Sequence, residues 1–198
     1  DVNGDVNLGT SVLRVNGSVG TDGQVLTSTG SAVAWEDAGG SSLWTETGSD
    51  IYYDSGNVGI GTTSPLTKLH LNNDGAILAQ GTYGSGWTEP DLGAGTRMMW
   101  YPRKAAFRAG YVNGTQWDDA NIGNYSTAMG SSTTASGDFS TAMGSFTTAS
   151  GNNSTAMGNS TTASGTYSTA MGFSATASGL YSTAMGRDTT ASGNNSIA

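Results

Sequence analysis

Small apolar and polar residues alternate with a strict period of 14 residues from Asn124 to the end of the chain. Five complete units follow one another without insertion or deletion, and each has two halves of seven residues, close to xxSTAMG and xxTTASG. Residues i and i+2 of a strand lie on the same face, so Ser126, Ala128 and Gly130 share one face while Thr127 and Met129 share the other. The pattern predicts two short strands per unit, with the smallest side chains inside a narrow coil.

The repeat predicts a parallel β-roll in which every unit makes one turn. Each turn advances along the axis of the roll by the distance between neighbouring strands, about 4.8 Å, so five turns form a rod about 24 Å long. We expect the glycine that ends each half to form a turn, because a positive φ costs glycine little. No segment of the chain has the uninterrupted 3.6-residue apolar period of a helix.

Methionine recurs once per unit on the face opposite the alanines. In a single roll these side chains would lie in solvent, and a contiguous apolar stripe usually marks an interface. The sequence therefore predicts that the methionines face the axis of an oligomer: Met129, Met143, Met157, Met171 and Met185. The alternative places methionine inside the roll and alanine outside.

The repeats resemble the head repeats of the trimeric autotransporter adhesins, the YadA-like head. That family repeats a phrase close to NSVAIGxxSxAxG, and residues 152–165 read NNSTAMGNSTTASG, with Thr155 and Met157 in the places of Val and Ile. The resemblance covers residues 124–198. It implies a left-handed parallel β-roll, with three rolls packed around one axis as a homotrimer.

Three segments precede the repeats. Residues 1–42 are predicted to be a Gly-rich β stalk with strands at 24–27 and 32–35, and residues 43–72 a linker and strand segment. The phrases NVGIGTTSP at 57–65 and KLHL at 68–71 resemble a linker of phage tail fibres and of bacterial surface proteins that end in a chaperone domain of the endosialidase type. Residues 73–123 hold three of the five Trp and four of the seven basic residues, and they are predicted to form a small aromatic β domain before the roll at 124–198.

Composition narrows the function classes. The formal net charge is −8, so nucleic acid is not an expected partner, because phosphate binding needs clustered Lys and Arg. The absence of Cys excludes disulfides, thiolate metal sites and Cys nucleophiles. No apolar stretch is long enough to insert into a membrane. The chain starts at Asp1, and we expect it to be a processed product or a piece of a longer protein.

Two groups of residues are candidates for ligand binding. Aromatic faces and arginine donors suit a polysaccharide, and they cluster at Arg97, Trp100, Tyr101, Arg103 and Trp117. The alternative is that these residues build a compact core, with the basic side chains pairing with Asp118 and Asp119 across a trimer.

The second group is the outward files of Thr and Ser on the roll, which include Thr134, Thr148 and Thr162. Flat threonine arrays bind glycans or proteins, or order water as in ice-binding proteins. The alternative is that exposed strand positions simply favour threonine.

No catalytic residue, cofactor or metal site is predicted. Asp118 and Asp119 are adjacent, so on a strand they point apart, and His70 is the only histidine. The sequence as a whole predicts an all-β, elongated, homotrimeric fibre without enzymatic activity. We expect it to present a binding surface outside a bacterial cell, to a glycan or protein receptor on a host or neighbouring cell. The alternatives are the tail fibre of a phage or contractile injection particle, which would place it on a virion tail, and an ice- or glycan-binding solenoid.

Overall fold

The structure, a computed structural model, describes residues 14–15, 18–21, 24–28, 33–37, 44–47, 50–53, 56–73 and 75–198. The chain divides into two compact units, Asp1–Ala76 and Ile77–Ala198. The predicted boundary between residues 42 and 43 lies outside the described residues.

Short strand pairs make up the described part of the first unit. Strands β1 (Gln24–Ser28) and β2 (Val33–Asp37) pair antiparallel, so the two predicted strands form one hairpin. Strands β3 (Thr45–Thr47) and β4 (Asp50–Tyr52) also pair antiparallel, whereas β5 (Val58–Ile60) and β6 (Leu69–Leu71) pair parallel. Isolated two-stranded pairs are marginally stable in water.

A sheet of seven strands forms one wall of the second unit. It begins with β7 (Gly95–Tyr101) and β8 (Ala106–Val112), which are joined by a 3-10 turn at Pro102–Lys104 and pair antiparallel. Five parallel strands, one from each repeat unit, extend it: β9 (Thr127–Ser131), β11 (Thr141–Ser145), β13 (Thr155–Asn159), β15 (Thr169–Phe173) and β17 (Thr183–Arg187). We call it the long sheet.

The second half of every unit adds a strand to a facing sheet, the short sheet. Its five two-residue strands are β10 (Thr134–Ala135), β12 (Thr148–Ala149), β14 (Thr162–Ala163), β16 (Thr176–Ala177) and β18 (Thr190–Ala191). All neighbours in this sheet pair parallel with a shift of one unit, as in Thr134 with Thr148. The predicted parallel β-roll is therefore confirmed.

Alanine fills the space between the two sheets. Ala128 of the long sheet and Ala135 of the short sheet have no exposed surface, and their equivalents in the following units are buried in the same way. Met129 is 37% exposed and Met185 is 55% exposed. Methionine therefore lies outside the roll and alanine inside, and the reverse alternative is wrong.

Glycine forms only some of the corners, which corrects the expectation from sequence. The glycine that ends the second half of a unit begins a turn, as where the Gly165 carbonyl accepts from the Ser168 backbone nitrogen at 3.2 Å, but the glycine that ends the first half lies within a strand. The residues with left-handed φ at the corners are non-glycine residues, one in each half-unit, as in Tyr125 with φ 57° and Ser132 with φ 51°. Gly130 has a φ of 118° and lies within strand β9, where a Cβ atom would overlap the carbonyl oxygen of Gly144 in the next turn. Glycine is needed here because adjacent turns approach closely.

The predicted aromatic domain at 73–123 is continuous with the roll. Strand β8 pairs parallel with β9, and Arg108 lies beside Ala128 in the register. Residues 77–123 and the repeats belong to one compact unit, so no boundary between units falls at 123/124. Residues 95–123 form the first layer of the solenoid and close its end.

Candidate binding and assembly surfaces

A row of methionines crosses the outer face of the long sheet. Register places the five repeat methionines side by side, and Ala109 and then Met98 continue the same row onto β8 and β7. Met98 is 75% exposed. The row therefore spans all seven strands, a distance of about 29 Å at the usual strand spacing.

Two further rows flank the methionines on this face. One starts with Trp100 and Phe107 and continues with threonine from Thr127 onward. The other starts with Thr96 and Tyr111 and ends with Phe173 and Arg187. Arg187 is the only charged residue in the three rows, so the outer face is nearly uncharged. Sequence reasoning found the repeat methionines but not their neighbours on β7 and β8, because only the pairing of these strands with the repeats brings them together.

The outer face of the short sheet carries the predicted Thr and Ser files. Thr134, Thr148 and Thr162 stand next to each other in register and are half-buried. Ser150, Ser164, Ser178 and Ser192 are exposed beside this file. The structure thus brings these three candidates together on a regular polar face.

A stack of aromatic rings follows one corner of the roll. Tyr83 stacks on Tyr125 with ring centroids 5.0 Å apart, and Tyr125 stacks on Phe139 at 4.7 Å. Tyr167 and Tyr181 stack at 4.9 Å further along, and Asn153 separates the two groups. The second position of each unit, which holds an aromatic residue in four of the five complete units, is the feature of the sequence that indicates this stack. These residues are not among the binding residues predicted from the sequence.

Arg108 and Trp117 close the interior of the roll. The Arg108 guanidinium donates to the carbonyl oxygens of Ser126 and Ala135 at 2.9 and 3.1 Å, and to Ser126 Oγ at 2.8 Å. Trp117 Nε1 donates to the Thr133 carbonyl at 2.9 Å. Burial lowers the pKa of Arg108 to about 10, and no carboxylate among the described residues forms an ion pair with it. Trp117 is only 1% exposed, so its place is in the core and not on a ligand-binding surface.

Tyr101 is also buried, and it joins three segments. Its hydroxyl donates to Asp119 Oδ1 at 2.6 Å and accepts from the backbone nitrogen of Glu89 at 3.4 Å. The hydrogen bond that the Tyr101 hydroxyl donates holds the pKa of Asp119 below its usual value. Lys104, which forms an ion pair with Asp119 at 3.1 Å, adds to the effect. The alternative pairing across a trimer is therefore made within one chain for Asp119, whereas Asp118 forms no ion pair among the described residues. Because Tyr101 has no exposed surface, it too leaves the set of candidate ligand contacts.

The remaining candidates from this cluster are split between two places. Arg97 Nη2 donates to the Gly93 carbonyl, and Arg103 Nη1 donates to the Gly86 carbonyl at 3.2 Å, so both hold the segment before β7. Trp100 is 43% exposed and lies on the outer face of the long sheet. The five residues thus form no common binding surface. His70 Nδ1 accepts from the Leu66 backbone nitrogen at 3.3 Å, which is a local structural contact.

Comparison with protein families gives a match for the roll. Residues 122–147, 149–175 and 177–198 match the family described as YadA head domain repeat (2 copies). The roll consists of YadA-like head repeats. Comparisons with curated proteins and with solved structures gave no match.

The match begins at residue 122, so the resemblance of residues 57–71 to tail-fibre linkers stays a prediction. Within the described residues, no helix has the length and apolar character that crossing a membrane requires.

Proposed function

We propose that the chain is part of a homotrimeric extracellular fibre, in which three YadA-like rolls pack through their long sheets and present their short sheets to a partner. The protein acts as a non-enzymatic adhesin on a bacterial surface. Its partner is a glycan or protein receptor on a host or neighbouring cell.

The observation that carries the proposal is the continuous methionine row on the outer face of the long sheet. Row and flanks contain methionine, tryptophan, phenylalanine and threonine, with Arg187 as the only charge. Depletion of charge and enrichment of methionine and aromatic residues are typical of the buried centre of an interface. Burial of one fully exposed methionine contributes up to about 1.5–3 kcal/mol, so about 20–45 kcal/mol is the upper bound for fifteen repeat methionines, and the gain on assembly is smaller because each is already partly buried in its own roll.

The short sheet suits the presentation of a binding surface to the partner. Its outer face is flat and regular, and it repeats a threonine hydroxyl and a serine hydroxyl in every turn. Hydroxyl groups donate and accept hydrogen bonds, which matches the hydroxyls of a glycan or the backbone of a protein. A trimer that buries the long sheets leaves these faces toward solvent.

A phage or injection-particle tail fibre is the second candidate, which would place the chain on a virion tail. It is favoured by the phrases at 57–65 and 68–71, which a purely adhesive surface protein does not need. Residues 58–60 and 69–71 of this segment form the parallel pair β5 and β6.

The experiment that tests the assembly is the molar mass of the chain in solution, by light scattering after size exclusion. A trimer has three times the chain mass of 20.0 kDa. A folded monomer at all concentrations would contradict the proposed packing, because it would leave the methionine row in water.

A further inference from the structure

Three carboxylates meet beside the closed end of the roll. One oxygen each of Glu89, Asp91 and Asp118 lies within 4.8 Å of the other two. Glu89 and Asp91 belong to the segment before β7, and Asp118 directly precedes the 3-10 turn Asp119–Asn121. The three residues come from one chain and are brought together by the contacts of Tyr101 with Glu89 and Asp119.

Glu89 distinguishes this group from an ordinary acidic surface. It is only 4% exposed, and its buried Oε2 has no hydrogen-bond partner among the described residues. A buried carboxylate oxygen without a partner is costly, because it loses the hydration that it has in the unfolded chain. Arg97 is the positive charge that acts on Glu89, and its guanidinium donates to the Gly93 carbonyl. Three carboxylates and one guanidinium leave two negative charges to balance.

The spacing of the oxygens suits a calcium ion. Calcium binds oxygen at about 2.3–2.6 Å, so two oxygens on one ion are at most about 4.6–5.2 Å apart. Magnesium binds at about 2.0–2.1 Å and requires oxygens within about 4.2 Å of each other, in a strict octahedron. The three oxygens lie within 4.8 Å of one another, which the flexible shell of six to eight oxygens around calcium accommodates, whereas magnesium demands near-ideal octahedral positions.

We propose that Glu89, Asp91 and Asp118 bind a calcium ion that fastens the segment before β7 to the closed end of the roll. The ion neutralises the two uncompensated charges and provides the missing partner of Glu89. Three carboxylate ligands, with water completing the shell, give a site of the affinity found in extracellular modules, about 10⁻⁴–10⁻³ M. The fastened segment also carries Trp87 and Tyr83, which pack on Tyr101 and Tyr125.

Thermal unfolding of the full chain tests this site. We compare the unfolding midpoint in EDTA with that in about 5 mM calcium, a concentration above the expected dissociation constant. Calcium binding to the folded state raises the midpoint in a saturable manner. Magnesium at equal concentration, and NaCl at equal ionic strength, produce a much smaller shift. No calcium-specific shift in the wild-type chain would overturn the proposal, and so would an equal shift with magnesium.

Glu89→Gln and Asp118→Asn test whether these residues bind calcium or contribute only to packing. Each substitution keeps the size of the side chain and removes one charge, so the chain in EDTA becomes more stable while calcium affinity falls about tenfold or more. Asp188→Asn is the matched control, because Asp188 is an exposed carboxylate that pairs with Arg187 away from this group. A calcium shift that is unchanged in both variants would overturn the site. Since the ligands lie in one chain, a monomer that binds calcium would contradict the proposed trimer and leave this site intact.

Discussion

At the scale of the residue, glycine recurs where adjacent turns of the roll come too close for a Cβ atom. A Cβ on Gly158 would overlap the carbonyl oxygen of Gly172, and the same overlap connects Gly130, Gly144 and Gly172 with the following turn. Gly158 also has a φ of 119°, which side-chain-bearing residues rarely adopt. Steric exclusion and backbone conformation thus act at the same position.

Gly158→Ala and Gly186→Ala separate these two effects. Gly186 has a φ of 117°, but among the described residues a Cβ there would meet only Thr189 Cγ2 at 3.6 Å. We expect Gly186→Ala to lower the free energy of unfolding by about 1–3 kcal/mol, the usual cost of backbone strain. Gly158→Ala adds an overlap with backbone and costs about 2 kcal/mol more. The measurement is urea unfolding followed by circular dichroism.

Equal losses in the two variants would show that φ alone selects glycine at these positions. The period of glycine was readable from the sequence, but the reason for it was not. A turn and a close approach of strands both require glycine, and only the stacking of one turn on the next decides between them.

At the scale of the element, the corners of the roll use side chains to offset an unfavourable backbone. Tyr125, Phe139, Tyr167 and Tyr181 all have φ between 55° and 57°, where a residue with a Cβ loses about 1–2 kcal/mol. Stacking of neighbouring rings contributes about 0.5–1.5 kcal/mol per pair beyond area burial. Asn153, which tolerates this backbone better, leaves a gap in the stack.

Asn153→Tyr closes this gap and joins the rings from Tyr83 to Tyr181. Two new stacked pairs form, with Phe139 and Tyr167, and we expect an increase of about 1 kcal/mol in the free energy of unfolding. Asn195→Tyr is the control, since Asn195 has the same φ of 55° but, among the described residues, has only Tyr181 as a neighbour in the stack. Less than half the gain is expected there, because a single stacked pair has to offset the same backbone cost. Calorimetric unfolding at fixed protein concentration measures both, and a loss of stability in Asn153→Tyr would show that the backbone cost exceeds the stacking.

The closed end of the roll shows where the sequence was insufficient. Arg108 and Trp117 lie in a segment without repeat, so no period indicates which of their faces is buried. Arginine and tryptophan together are typical of sugar binding and equally of a cap that bonds the open carbonyls of a strand end. The structure shows that Arg108 belongs to a cap. Its guanidinium donates to four oxygen atoms of the roll, and the fourth of these is the Phe107 carbonyl at 2.9 Å.

At the scale of the whole molecule, the assembly depends on which sheet meets its copies. Met157 lies in the middle of the methionine row, and Thr162 lies at the middle of the threonine file on the opposite sheet. Both side chains point outward, so neither substitution disturbs the alanine interior.

Met157→Asp places three carboxylates near the axis of the proposed trimer, where each would be buried without a partner. We expect the mass in light scattering to fall to that of the monomer, 20.0 kDa, because a buried unpaired charge costs several kcal/mol. Thr162→Asp keeps the trimer. The opposite result, a trimer lost only in Thr162→Asp, would place the interface on the short sheet. Circular dichroism of both variants verifies that the roll is folded.

The roll could be predicted almost completely, because alanine, methionine and glycine recur at fixed places in every unit, and the strand period then assigns their faces. The calcium group could not, because Glu89 and Asp118 are far apart in sequence and share no pattern. Their proximity results from the burial of Tyr101, which the sequence equally allowed at a surface. Non-repeating contacts of this kind are determined by tertiary packing and leave no local signal.

The parallel stacking of the roll also determines how far the chain reaches. One unit of 14 residues advances the axis by one strand spacing of about 4.8 Å, or about 0.34 Å per residue, against about 1.5 Å per residue in an α-helix. A chain that only needed distance would gain more than four times the length from a coiled coil of equal size. What each additional unit supplies is lateral surface, with one more threonine and one more serine at a fixed spacing. A partner with its own regular repeat, such as a polymer, would therefore form many weak contacts at the same spacing. Its affinity would rise steeply with the number of units.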